Sequence, residues 1–256
     1  MSDRTPSDPA RRPTPPASVS RPVASPLWPS VVWRAEDADA LDAQYEGRTR
    51  GYAYARESHP NAEMLAAAID ALEGAPEAGG GGLMFGSGMG AVSAVLLGLL
   101  RSGDRVIASN QLYGRTLRLM TQDLPRFGIS VEFIDPTDAA AWARAAATPA
   151  AMIFAEVVSN PTLRVADMEA ARAAAQASGA LFVVDNTFTT PRGWRPFEHG
   201  ADVVLHSVTK LLAGHSDATL GWVAARDPGV REKLFAAQGS IGATASPFDC
   251  WLAERG

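Results

Sequence analysis

Hydrophobic positions along the chain change their period several times. Between residues 62 and 72, Met64, Leu65, Ala68, Ile69 and Leu72 recur at three- and four-residue steps. That spacing predicts an amphipathic helix, which Gly74 and Pro76 end. After the glycine run at 79–82, short β-rich apolar runs alternate with helical stretches. Residues 83–85, 105–108, 131–134, 152–157, 181–184 and 203–205 read as strands; 90–100, 114–127, 139–147 and 168–178 read as helices between them. Such alternation implies βαβ units and a mostly parallel sheet buried on both faces. Ligands of such sheets sit at the carboxyl ends of the strands. Residues 1–30 break the pattern. Eight of the eighteen prolines fall there, among Ser, Thr and Arg, which predicts a disordered, Pro-rich arm. Arg11-Arg12 is followed by Pro-Thr-Pro-Pro rather than an apolar segment, so an export signal is not expected.

Composition narrows this picture. With 256 residues, 46% hydrophobic and 20% charged, the chain has the makings of a real core and is neither fibrous nor disordered throughout. A net charge of −5 does not advertise nucleic-acid binding, and residues 91–100, among the longest apolar runs, are too short to span a bilayer. The single cysteine, Cys250, has no internal partner, so a reducing, cytoplasmic setting is expected. Of 23 basic residues only Lys210 and Lys233 are lysines, which leaves two side chains for any amine chemistry.

Three motifs stand at the expected sheet edge. Gly86-Ser87-Gly88-Met89-Gly90 follows a strand and opens a helix, where backbone N–H groups can meet a phosphate. It matches neither G-x-G-x-x-G nor a P-loop, and taken alone a plain tight turn explains it as well. Asp185 ends an apolar strand; capping the next turn is the simpler account of it, and no His/Asp/Glu cluster supports a metal. His206-Ser207-Val208-Thr209-Lys210 places two hydroxyls and one of the two lysines after a buried strand. Lys233 falls in a polar-faced helical stretch and reads as a solvated charge, and His206 and His215 as packed or hydrogen-bonded histidines. Together the motifs meet one requirement. Pyridoxal phosphate needs a lysine, an acid beside its pyridine nitrogen, and donors around its phosphate. A nucleotide-dependent α/β enzyme using the 86–90 turn is the weaker rival, because it lacks the accompanying lysine and ribose-binding acid.

From Tyr52 onward the chain resembles the cysteine/methionine-metabolism family of pyridoxal-phosphate enzymes, which includes cystathionine γ-synthase, the cystathionine lyases, methionine γ-lyase and the homoserine sulfhydrylases. The resemblance is carried by Asp185-Asn-Thr-Phe-Thr-Thr-Pro191, Arg195-Pro196, Gly200-Ala-Asp202, His206-Ser-Val-Thr-Lys210 and Gly214-His-Ser-Asp217. It implies an α/β, type I aminotransferase-like cofactor domain over 76–256, its mostly parallel sheet flanked by helices. In that reading Lys210 holds the cofactor and moves protons at the substrate's α-carbon, and Asp185 pairs with the ring nitrogen. Gly88, Met89, Ser207 and Thr209 bind the phosphate, with Thr187 also contacting the cofactor. Tyr113 stacks on the ring and serves as an acid or base, and Asn160 lies near the phenolic oxygen and substrate carboxylate. Tyr54 and Arg56, within a segment at 31–75, would reach the phosphate of a neighbouring subunit, implying a homodimer or homotetramer with shared sites.

The same resemblance implies carbon–sulfur β- or γ-elimination on a small amino acid, narrowly ahead of γ-replacement on an activated homoserine. His59-Pro60-Asn61 and Arg115 depart from the family pattern. The chain ends where the family passes into its C-terminal small domain, so that domain is expected to be absent. A catalytically incompetent remnant is therefore the rival from outside the enzymes.

Overall fold

The computed structural model describes residues 18–20 and 22–256. The first half of the Pro-rich stretch and the paired arginines lie outside the described residues. Two helices come first, α1 (Ala38–Tyr45) and α2 (Pro60–Glu73), the latter capped by the His59 ring and stopped by Gly74 at φ 67. The alternating part then runs β1 (Leu83–Phe85), α3 (Gly88–Leu99), β2 (Arg105–Ser109), α4 (Gly114–Arg118), β3 (Ser130–Ile134) and α5 (Ala139–Ala145). It continues through β4 (Met152–Glu156), α6 (Met168–Ser178), β5 (Leu181–Asp185), α7 (Thr190–Gly193) and β6 (Val203–His206). Finally come β7 (Gly221–Ala225), α8 (Pro228–Ile241) and α9 (Pro247–Ala253).

The seven strands form one sheet in the order β1-β7-β6-β5-β4-β2-β3. Strands β3, β2, β4, β5 and β6 pair in parallel, whereas β7 runs antiparallel to both β6 and β1. Successive residues of a strand point to opposite faces, and the core divides accordingly. Phe182, Val184, Val204 and Trp222 pack with α2, α5, α6 and α9 on one side. Phe154, Val183, Val203, Leu205 and Val223 pack with α3 and α8 on the other. Cys250 of α9 sits in the first of these cores, fully buried, and burial pushes its thiol up to about 12.

Three expectations change. The helix expected over 114–127 breaks into α4, a wide turn of π type at 119–123 and a 3₁₀ turn at 124–127. Pro125 has no N–H to continue an α-helix and crowds the carbonyl four residues back. Strand β7 was not expected at all; its Gly-Trp-Val-Ala-Ala run carries no alternation because both faces are buried. Residues 25–28, placed in the arm by composition, are held to the body. Trp28 N donates to Asn61 Oδ1 (3.0 Å), Asn61 Nδ2 to Pro26 O (3.0 Å), and Trp251 Nε1 to Ser25 O (2.8 Å).

Candidate active site

The carboxyl ends of β4, β5 and β6 and the N-terminus of α3 converge on a cavity of about 210 Å³. Gly88, Met89, Tyr113, Asn160, Asp185, Thr187, Ser207, Thr209 and Lys210 all line it. Each of these was singled out from sequence. The parallel topology explains the meeting, since every β-to-α turn of such a sheet opens on the same edge.

One wall is the first turn of α3. Ser87 caps it, its Oγ accepting from Gly90 N at 2.9 Å, so the N–H groups of Gly88 and Met89 stand before the first intrahelical bond. A Cβ at residue 88 would fall 2.5 Å from Ser207 Cβ and 2.6 Å from its Oγ. Glycine is therefore what lets the helix end close on the β6 loop. Ser207 N donates to Thr187 Oγ1 at 2.8 Å, tying that loop to the one after β5. The result is a cradle of N–H donors and hydroxyls at a positive helix end, chemistry suited to a phosphate. Thr209 differs from the rest. Its hydroxyl donates to Leu220 O (3.1 Å) and accepts from Leu220 N (2.9 Å), so only a lone pair is left for the cavity.

The opposite wall is acidic. Asp185 accepts from Thr187 N at 3.0 Å, and burial raises its pKa against the pull of the Thr187 hydroxyl and N–H. Its register partner on β4 is Glu156, a residue that sequence reading passed over although it ends its strand as Asp185 does. Glu156 lines the same cavity, is 8% exposed, and accepts from Tyr113 N at 2.6 Å. Burial, and then the charge of Asp185, push it up to about 8. Ser87 of the glycine-rich turn also lines the cavity, as do Val92, Thr116, Val158, Phe188 and Thr219, none of which the sequence reading marked as site residues.

Behind the strand ends the polar residues are closed off. His206 Nε2 meets Glu73 Oε2 at 3.1 Å, both side chains without solvent exposure. Asn186 Nδ2 donates to Glu73 Oε1 (3.0 Å) and Trp194 O (2.8 Å). The expectation of a hydrogen-bonded His206 holds. Tyr54 and Arg56 lie outside the cavity and exposed, with the guanidinium 5.4 Å from the centre of the tyrosine ring and Arg56 Nη1 donating to Gly239 O at 3.3 Å.

The profile of the family described as Cys/Met metabolism PLP-dependent enzyme matches residues 13–256. The chain belongs to that family. It is 42% identical over 205 residues to a cystathionine β-lyase of Bacillus subtilis, covering 80% of this chain and 51% of that protein. To an L-methionine γ-lyase of Pseudomonas putida it is 40% identical over 216 residues, covering 84% and 53% respectively. A crystal structure of cystathionine γ-synthase from Xanthomonas oryzae in complex with cystathionine superposes with a TM-score of 0.83 at 35% identity, over 91% of this chain and 57% of that one. A structure of a putative O-acetylhomoserine (thiol)-lyase from Campylobacter jejuni, carrying N'-pyridoxyl-lysine-5'-monophosphate, gives 0.83 at 26% identity, over 92% and 65%. The chain thus spans about half the length of the curated relatives it matches. Among the described residues there is neither a helix long and apolar enough to cross a membrane nor a group of three or more His, Cys, Asp or Glu that could hold a metal ion.

Proposed function

We propose that the protein is a pyridoxal-phosphate enzyme of sulfur amino-acid metabolism that eliminates a sulfur-linked β- or γ-substituent from a small amino acid. The observation that carries this is the shared cavity: Lys210, one of two lysines in the chain, and Asp185 face the same space, with the donor-lined end of α3 as its wall. When bound, pyridoxal phosphate supplies a carbonyl that captures amines and a ring that takes up the electron pair left when the α-proton departs.

The protein's own residues set the rest. The N–H groups of Gly88 and Met89, with the Ser207 hydroxyl, bind the phosphate. The Asp185 carboxylate holds a proton on the ring nitrogen, which keeps the ring electron-poor. Lys210 Nζ would hold the cofactor through its carbonyl and, when free, would be the base placed to take the α-proton. Tyr113 covers the ring and is placed to act as an acid or base, and Asn160 orients the substrate carboxylate. Tyr54 and Arg56, outside this chain's own cavity, serve the phosphate of a neighbouring subunit in a homodimer or homotetramer, and the setting is the cytoplasm.

Incubation of the protein with pyridoxal phosphate and cystathionine, methionine or cysteine tests this. An α-keto acid, ammonia and a released thiol are expected, with a visible cofactor absorbance that Lys210→Ala removes. Likeness to a γ-synthase supports the second reading, γ-replacement on an activated homoserine. A new thioether formed from an added thiol, with no keto acid, would decide for it.

A further inference from the structure

The cavity holds one acidic side chain more than an electron sink needs. Glu156 and Asp185 are register partners on adjacent parallel strands, whose spacing is about 4.8 Å, and both face the cavity. Two carboxylates so close, sheltered from water, do not ionise together without a cation between them. Their hydrogen bonds tell them apart. Asp185 is served by the Thr187 hydroxyl and N–H, which favour its charged form. Glu156 receives the Tyr113 N–H alone.

We propose that Glu156 is a positioning residue: it fixes the Tyr113 backbone at the cavity wall, stays an uncharged acid while the cavity holds no cation, and gives up its proton as a ring cation settles beside Asp185. This rests on the pyridoxal-phosphate reading. The other titratable groups facing the cavity are Asp185, Tyr113 and Lys210; His206 acts on Asp185 from the opposite side of the sheet. With Glu156 held up to about 8, it is neutral at pH 7 in the cofactor-free protein. A protonated ring nitrogen beside Asp185 favours the ionised form of Glu156, so cofactor binding between neutral pH and about 8 releases part of one proton. Affinity therefore rises with pH across that window.

Calorimetric titration of the full-length protein with pyridoxal phosphate, in buffers of different ionisation enthalpy, counts that proton. Tyr113, Lys210 and the cofactor's phosphate are common to all variants, so the difference between wild type and Glu156→Gln is the readout. Gln keeps an oxygen for the Tyr113 N–H but cannot titrate. The wild type is expected to release up to one proton more, and its affinity to rise by up to about tenfold more per pH unit. Glu156→Asp should restore the difference. Equal proton counts in wild type and Glu156→Gln would overturn the proposal while leaving the cofactor reading intact; no uptake of pyridoxal phosphate by any of these proteins would overturn both. A measurement without variants guards against misfolding: the cofactor-free wild type should keep an infrared carboxylic-acid band at pH 7 that falls to about half near pH 8 and is lost above about pH 9. Its absence at pH 7 is equally fatal.

Discussion

The ends of β5 and β6 present two unlike surfaces within a residue of each other. Asp185 and Ser207 turn toward the cavity, while their chain neighbours Asn186 and His206 are sealed against Glu73 on the other side of the sheet. The front holds groups only partly satisfied by the protein and open to a ligand. Behind it lies a set shut off from solvent in which each carboxylate oxygen of Glu73 meets a named partner, while His206 Nδ1 and Asn186 Oδ1 have none. Residue type alone does not say which is which: a histidine and a glutamate make the structural pair, while a glycine and a serine form part of the cradle. The pleat decides, because one step along the strand exchanges the faces.

Substitutions on the two surfaces should therefore fail differently. The largest effect belongs to the front. Lys210→Ala should lower turnover by about 10³-fold or more, the scale of a lost proton-transfer group, yet leave the unfolding free energy from urea denaturation within about 0.5 kcal/mol of wild type. Glu73→Ala should do the reverse, destabilising the fold by about 3–5 kcal/mol in urea denaturation because the buried His206 loses its partner. A loss below about 1 kcal/mol would show that the rear pair is not structural. Gly88→Ala falls between the two surfaces. Its Cβ would press on Ser207, so a cost of about 1–3 kcal/mol is expected, with weaker binding of pyridoxal phosphate than of unphosphorylated pyridoxal measuring the damage to the cradle.

The most gradual effect is one of pH. Because the pKa of Glu156 is raised on folding, from 4.5 to about 8, its contribution is fully present below 4.5 and lost as pH rises through 8. Urea midpoints of the cofactor-free protein should decline gradually over that window, and Glu156→Gln should flatten the decline.

Much of this was legible in the sequence, for local reasons. Six strands announce themselves as short apolar runs between turn residues, and all but β1 differ from expectation by a residue at one end. The cavity followed from the rule that strand ends carry ligands, applied to Asp185 and Lys210; applied equally to β4 it would have found Glu156. What stayed hidden is non-local. Ser25 and Pro26 are fixed by Trp251 and Asn61, the former 226 residues away, and no composition of the first thirty residues reports that. Strand β7 is defined by its neighbours β6 and β1 rather than by a pattern of its own. The break at Pro125 lay within reach, since proline inside a helical pattern is itself a stop signal.

Cys250 gives the molecule a built-in clock. Its sulfur is inaccessible, held protonated to about 12, and alone in the chain. Thiol reagents can therefore mark it only when α9 lifts from α2, and the labelling rate counts those openings. A single unmodified side chain thus times the breathing of one helix seam, with no engineered probe.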